Sequence, residues 1–330
     1  MIARLRRREF ITLVGGAAAW PLAARAQAER MRRLGVLMSV ADDSEGQARI
    51  KPFQQTLREL GWVEGRNIQI DYRWTEGDAR RIPRHASELV ALRPDVIFET
   101  SSSVLAALKR ATSTIPIVFV NVSDPVGQGF VASFAKPGGN ITGFTNYEPS
   151  MVAKWLEALR ELSPGAERVL AILNPDTTPS KFYVPALEAA AASFRMKPVV
   201  VLVHAFRELE PAMASFVQEP HGVMIVVPDA FAVTHREEYV QLAARYRLPT
   251  AYGFSTFVRA GGLLAYSLDV PDHFRRAAQY VDRILRGASP GGLPVQAPTK
   301  FEFIINMRAS KALGLEIPPT LLARADEVIE

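Results

Sequence analysis

Short apolar, β-rich runs alternate with amphipathic helical segments along almost the whole chain from residue 34 onward, and this alternation narrows the fold more than any other feature. A strand that follows a helix returns parallel to the strand before it, so repeated strand–helix units build a parallel sheet covered by helices on both faces. Residues 34–38 (LGVLM) read as the first strand and 53–60 as part of the first helix, closed by Gly61. Ile68, Ile70, Tyr72 and Trp74 alternate with Gln69, Asp71 and Arg73, which predicts a strand with one solvated face near a sheet edge. The runs 96–98 and 115–120 are continuously apolar and suit interior strands.

A second series begins near residue 150, with helices over 152–162, 185–194, 209–217 and 236–246 and strands over 169–173, 199–203 and 223–227. Two series of similar size predict an α/β protein of two Rossmann-like lobes with parallel sheets, rather than one long sheet. The boundary falls at Pro137-Gly138-Gly139-Asn140, followed by 141–145. A strand over 263–266, a helix over 274–285, an extended run over 301–305 and a last helical segment over 321–328 complete the chain.

The first residues read as an export leader. Arg4, Arg6, Arg7 and Arg8 form a basic start, residues 11–22 an apolar stretch, and Ala24-Arg25-Ala26 a small-residue cleavage site, with the cut after Ala26. Arg7-Arg8-Glu9-Phe10-Ile11 resembles the twin-arginine (Tat) signal, although Arg6 and Thr12 stand where Ser or Thr and Lys are usual. The apolar run is shorter than the roughly 20 residues that span a bilayer. The leader carries +4 of the formal +5 charge, so the mature chain is near neutral and gives no reason to expect nucleic acid as a partner. With no cysteine there is no disulfide, thiolate metal site, thiol nucleophile or lipid-anchored form. The expectation is a freely diffusing periplasmic monomer without a cofactor.

Motifs for catalysis are missing: no H-E-x-x-H, G-x-x-x-x-G-K-[ST], G-x-S-x-G or G-x-G-x-x-G occurs, and the five histidines lack ligand spacing. The most informative polar run is Thr100-Ser101-Ser102-Ser103, after an apolar strand and before a helical segment. A carboxylate held there meets hydroxyl donors, backbone N–H groups and the positive end of a helix dipole. One N-cap accounts for one serine, not for four hydroxyl residues. Asn121 and Asp124 follow the next buried strand on the same rim, where Asn121 is either a ligand contact or a turn residue and Asp124-Pro125 is a turn. In the second series Asp229, Phe231, Tyr252 and Phe254 occupy equivalent positions after strands. Asp229 offers a negative charge to an amino group. The aromatics either grip an apolar ligand side chain or pack between lobes.

These residues also resemble a known family, the ABC transporter substrate-binding proteins of the tryptophan/tyrosine-binding type, with the type I periplasmic binding fold. The matching stretches include Glu59-Leu60-Gly61-Trp62-Val63-Glu64-Gly65-Arg66-Asn67, Tyr72-Arg73-Trp74, Asp124-Pro125-Val126-Gly127, Lys136-Pro137-Gly138-Gly139-Asn140-Ile141-Thr142-Gly143, Tyr252-Gly253-Phe254, Pro298-Thr299-Lys300-Phe301-Glu302 and Leu322-Ala323-Arg324-Ala325-Asp326. The resemblance implies two lobes joined by three hinge crossings, a small organic ligand sealed between them, and delivery to an ABC permease and its ATPase, with an amino acid as the expected ligand and no catalysis. It implies a first lobe of 31–145 plus about 253–293 and a second of 146–252 plus about 294–330. Glu99-Thr100-Ser101-Ser102-Ser103 is a local departure, where the family often has Gly or Thr with Pro. Two rival functions share the architecture: a ligand-sensing module of a signalling system, and a hydrolase or isomerase that uses Asp229 with a serine.

Overall fold

The apolar runs become the inner strands of two sheets, in a computed structural model that describes residues 31–146 and 150–330. The leader, including Arg7, Arg8 and the cut after Ala26, lies outside the described residues. β1 (Arg32–Met38), β2 (Ile68–Trp74), β3 (Val96–Glu99), β4 (Ile117–Val122) and β5 (Ile141–Thr145) pair in parallel in the order β2-β1-β3-β4-β5. The alternating strand β2 is at the edge, while β3 and β4 are interior and wholly buried. α1 (Ser44–Glu59), α2 (Ile82–Ala91) and α3 (Ser102–Ala111) connect the first four strands. Asp43 starts α1 by accepting the Gly46 N–H at 2.8 Å. Ile50, Phe53 and Leu57, spaced by helical turns, bury that helix against the sheet.

The second sheet has seven strands rather than five. Its helices and strands run α4 (Ser150–Leu162), β6 (Arg168–Leu173), α5 (Ser180–Ser193), β7 (Lys197–Leu202), α6 (Leu209–Phe216), β8 (Gly222–Val226), α7 (Ala230–Thr234), α8 (Arg236–Arg245), β9 (Thr250–Tyr252), α9 (Thr256–Arg259) and β10 (Leu264–Leu268). The chain then forms α10 (Val270–Leu285) and returns through β11 (Phe301–Asn306), α11 (Met307–Leu313), α12 (Pro319–Leu322) and β12 (Glu327–Ile329). The order is β12-β11-β10-β9-β8-β6-β7, and only β10 with β11 is antiparallel.

Two sequence expectations are corrected here. Residues 253–268 belong with the second sheet, because β10 pairs with both β9 and β11, which leaves only α10 and the segment that follows it to Gln296 against the first sheet. A strand's apolar pattern reports that it is buried, not in which of two sheets. The helical pattern over 321–328 resolves into the short α12 and the strand β12, where Val328 pairs beside Ile305.

α10 is the element that makes the first lobe discontinuous in sequence. Its buried stripe of Phe274, Ala277, Ala278, Val281 and Leu285 packs on α1, β3 and β4. The Phe274 ring meets Phe98 edge-on at 5.5 Å, and Phe98 in turn stacks on Phe53 at 4.2 Å. Trp62 Nε1 donates to Asp282 at 2.8 Å, tying the turn after α1 to the same helix. The returning segment is fastened too: Tyr280 donates to the Pro294 carbonyl at 2.8 Å and Thr142 to the Leu293 carbonyl at 2.6 Å. The chain therefore crosses between the sheets three times, after β5, at Asp269, and between Gln296 and β11. Phe274→Ala should lower stability by about 3 to 5 kcal/mol through the lost transfer energy and the cavity left beneath Phe98. Chemical denaturation followed by far-ultraviolet circular dichroism measures it, and a loss under 1 kcal/mol would contradict the clamping role of α10.

Candidate functional site

In each sheet the parallel strands end on one edge, and the loops that follow them collect there. One cavity lies between the two lobes at these edges. The first lobe contributes Ser39, Val40, Arg49, Thr100, Ser101, Ser102, Asn121 and Ser123, and the second Thr177, Pro179, Pro228, Asp229, Ala230, Val233 and Phe254, with Asn146 at the first crossing. The cavity is about 20 Å³, room for about one water molecule. Among the contacts that bridge the lobes around it, Arg236 pairs with Asp43 at 3.2 Å, Ser123 Oγ meets the Tyr183 hydroxyl at 3.0 Å, and the Arg49 guanidinium lies 4.8 Å from the Phe254 ring centre. The lobes are closed on one another.

The four hydroxyls of the 100–103 run have separate duties. Thr100 Oγ1 accepts the Ser39 N–H at 2.8 Å and donates to Ser39 Oγ at 3.0 Å, which ties the end of β3 to the end of β1. Ser101 is the N-cap of α3, accepting the Val104 N–H at 3.3 Å, and its Oγ lies 3.2 Å from Ser103 Oγ. Ser102 Oγ accepts from the Ser123 N–H at 3.2 Å and the Gln128 amide at 3.3 Å, so its own proton is left to donate. Ser103 does not line the cavity. A single cap was too little to explain the run, and strand tying and loop bracing account for the rest.

Asn121 stands where β4 breaks register between Val120 and Val122, with a left-handed backbone of φ 56°. Such a conformation is uncommon outside glycine and clusters at functional sites. Asp124 makes the turn expected of it, accepting the Gly127 N–H at 2.8 Å. Asp229 caps α7 by accepting the Ala232 N–H at 2.9 Å. Burial pushes its carboxyl above the ordinary range, against nearby hydroxyls of Thr177 and Thr178 and the N–H of Ala232. Neither threonine makes a well-formed hydrogen bond to it, and Asp229 Oδ1, Thr177 Oγ1 and Asn121 Oδ1 are buried without a partner among the described residues. All three residues line the one cavity.

Two of the aromatic candidates are elsewhere. Tyr252 is buried beneath the second lobe and stacks on Phe257 at 4.8 Å, because β9 is an interior strand and turns that side chain into its core. Phe231 points to the outer rim of the cleft, edge-on to His235 at 4.7 Å. Phe254 does line the cavity, yet its ring faces a cation rather than an apolar pocket. The sequence reading missed Arg49, Ser39 and Ser123. Arg49 had a signal, since it falls on the same helical stripe as Gly46, Ile50 and Phe53, a charge on a core-facing side.

The profile of the family described as ABC transporter substrate binding protein matches residues 33–329. The chain belongs to this family. A curated relative of this substrate-binding protein is a tyrosine-binding protein of Clostridioides difficile, 28% identical over 288 residues, which cover 87% of this chain and 82% of that one. Among solved structures, an ABC domain in complex with L-Trp from Streptococcus pneumonia superposes with a TM-score of 0.84 at 24% identity, covering 91% of this chain and 100% of that one. A ligand-free, open substrate-binding protein with adhesive properties from Clostridium difficile gives a TM-score of 0.65 at 26% identity, covering 91% and 99%.

Glu99 lies directly beneath the serine run. It is fully buried at the end of β3, and its Oε2 accepts the Ser101 N–H at 2.8 Å. Burial pushes its carboxyl well above the ordinary range, outweighing the N–H groups of Ser101 and Thr100. The folded state therefore holds this proton more tightly than the unfolded chain does. Its stabilising contribution is complete below the unfolded carboxyl pKa of about 4.3 and is lost as pH rises towards the folded value. Glu99→Gln removes the titration while keeping an acceptor for Ser101, so its melting temperature relative to wild type should rise from pH 5 to pH 8. Parallel melting curves for the two proteins would contradict a protonated Glu99.

Proposed function

We propose that this substrate-binding protein is the exported, periplasmic component of an ABC importer. Its two lobes close on a small α-amino acid, and it performs no catalysis of its own. The observation that carries this reading is the polar chemistry of the cleft. Its first-lobe wall presents donors: the Ser102 hydroxyl, the α3 N-terminus and Arg49. Its second-lobe wall presents a buried carboxylate, Asp229, with an unpartnered oxygen. A ligand with a carboxylate at one end and an ammonium at the other answers both walls. Val40, Pro179, Val233 and Phe254 supply apolar surface for a side chain, and the tyrosine-binding relative supports an aromatic one.

A cavity of about 20 Å³ does not hold an amino acid, so the lobes open to admit one and close on it less far than in this structure. The reading as a hydrolase would need Asp229 to activate a serine. Asp229 and the serine run stand on opposite lobes, and no histidine lines the cavity. The leader read from residues 1–26 supports export to the periplasm, and the family supports delivery to a permease and its ATPase.

Asp229→Asn keeps an acceptor for the α7 cap while removing the charge. It should weaken binding of L-tyrosine by about 2 to 5 kcal/mol, because the ligand ammonium would be left desolvated and unpaired. It should leave 3-(4-hydroxyphenyl)propanoate, which lacks the amine, almost unaffected. Titration calorimetry measures both, and equal affinities of Asp229→Asn and wild type for L-tyrosine would remove the amino-acid reading.

A further inference from the structure

Arg49 is buried to 7% exposure within α1, which is an expensive place for a guanidinium unless several groups compensate it. Glu45, one turn earlier, accepts its Nε at 2.6 Å. Burial pushes the Glu45 carboxyl up, but Arg49, Thr256 and Arg236 together pull it below its ordinary value, so the pair is ionised. Phe254 of the second lobe lies against the guanidinium at 4.8 Å. These contacts hold the plane and one nitrogen. The Nη1 and Nη2 edge has no hydrogen-bond partner among the described residues, although the side chain lines the cavity.

A guanidinium presents two parallel N–H groups along that edge, which match the two oxygens of a carboxylate. We infer that Arg49 is the residue by which the cleft selects ligands carrying a carboxylate, with Glu45 as its positioning residue and Phe254 as the second-lobe surface that closes over it. The inference rests on the reading of this cavity as the amino-acid site and adds the group that discriminates. Arg236, paired with Asp43 at 3.2 Å, also acts on Glu45, so Glu45 does not depend on Arg49 alone for a cation. The geometry also couples recognition to closure. Arg49 stands on the first lobe and Phe254 on the second, so their contact exists only when the lobes meet, and a carboxylate on the free edge would fix the guanidinium in the plane that Phe254 covers.

Titration calorimetry with L-tyrosine and tyramine, its counterpart without the carboxylate, tests the assignment. Wild type should favour L-tyrosine over tyramine by about 30-fold or more. Arg49→Gln should bring the two ligands to within a few-fold, by weakening L-tyrosine alone. Arg49→Lys should recover part of the preference, since a point charge attracts a carboxylate without matching it along two bonds. Glu45→Gln should reduce the preference less than Arg49→Gln does. Unchanged tyramine binding in Arg49→Gln shows that the cleft is intact, so that a merely structural arginine would be recognised by the loss of both ligands. A full preference for L-tyrosine in Arg49→Gln would overturn the assignment and leave the carboxylate to the serine run. Failure of wild type to bind either compound would instead overturn the amino-acid reading on which the assignment rests.

Discussion

All strands of the first sheet run in one direction, and so do those of the second up to β10. This shared direction places the loops after β1, β3, β4, β6 and β8 on facing edges of two lobes. The cavity is lined by what those strand ends and loops carry, Ser39, Thr100, Ser101, Ser102, Asn121, Thr177 and Asp229, together with Arg49 from α1 and Phe254 after β9. No two of these groups come from the same strand–helix turn except within the serine run. Parallel pairing, forced by helical crossovers, is thus what converts distant polar residues into one cleft. The three crossings, braced by α10, let the lobes meet there.

The closed cleft is held together weakly when its polar groups lack partners. Asn121 Oδ1, Thr177 Oγ1 and Asp229 Oδ1 each cost about 1 to 3 kcal/mol when buried unpaired. The contacts that favour closure include the Arg236–Asp43 pair, with Asp43 still 38% exposed, and such ion pairs contribute about 0 to 1 kcal/mol. A ligand that completes those groups across both lobes shifts the population towards the closed form. Burial raises the Asp229 carboxyl above its ordinary range, and a cationic group beside it would pull it back down.

Much of this was legible in the sequence, for definite reasons. The alternation in β2 predicted an edge and the unbroken runs of β3 and β4 an interior, because periodicity reports which faces are wet. The positions after strands identified Thr100, Ser101, Ser102, Asn121, Asp229 and Phe254, all of which line the cavity. Membership of β10 in the second sheet was not legible, since pairing across a hinge leaves no local mark. Tyr252 and Phe231 were misplaced because a residue's position after a strand does not say which way its side chain turns. Arg49 was overlooked because a helical arginine usually belongs to a solvated face, and only the stripe it shares with Ile50 and Phe53 marks it as different.

The central claim, that the cleft closes on a ligand with an anionic and a cationic end, meets its most direct test in the compound the protein carries. The protein, purified from its source without refolding and then denatured, should release a single free α-amino acid, identified by mass spectrometry in near-stoichiometric amount. Release of an uncharged solute such as a sugar, or of a carboxylate without an amine, would contradict the account.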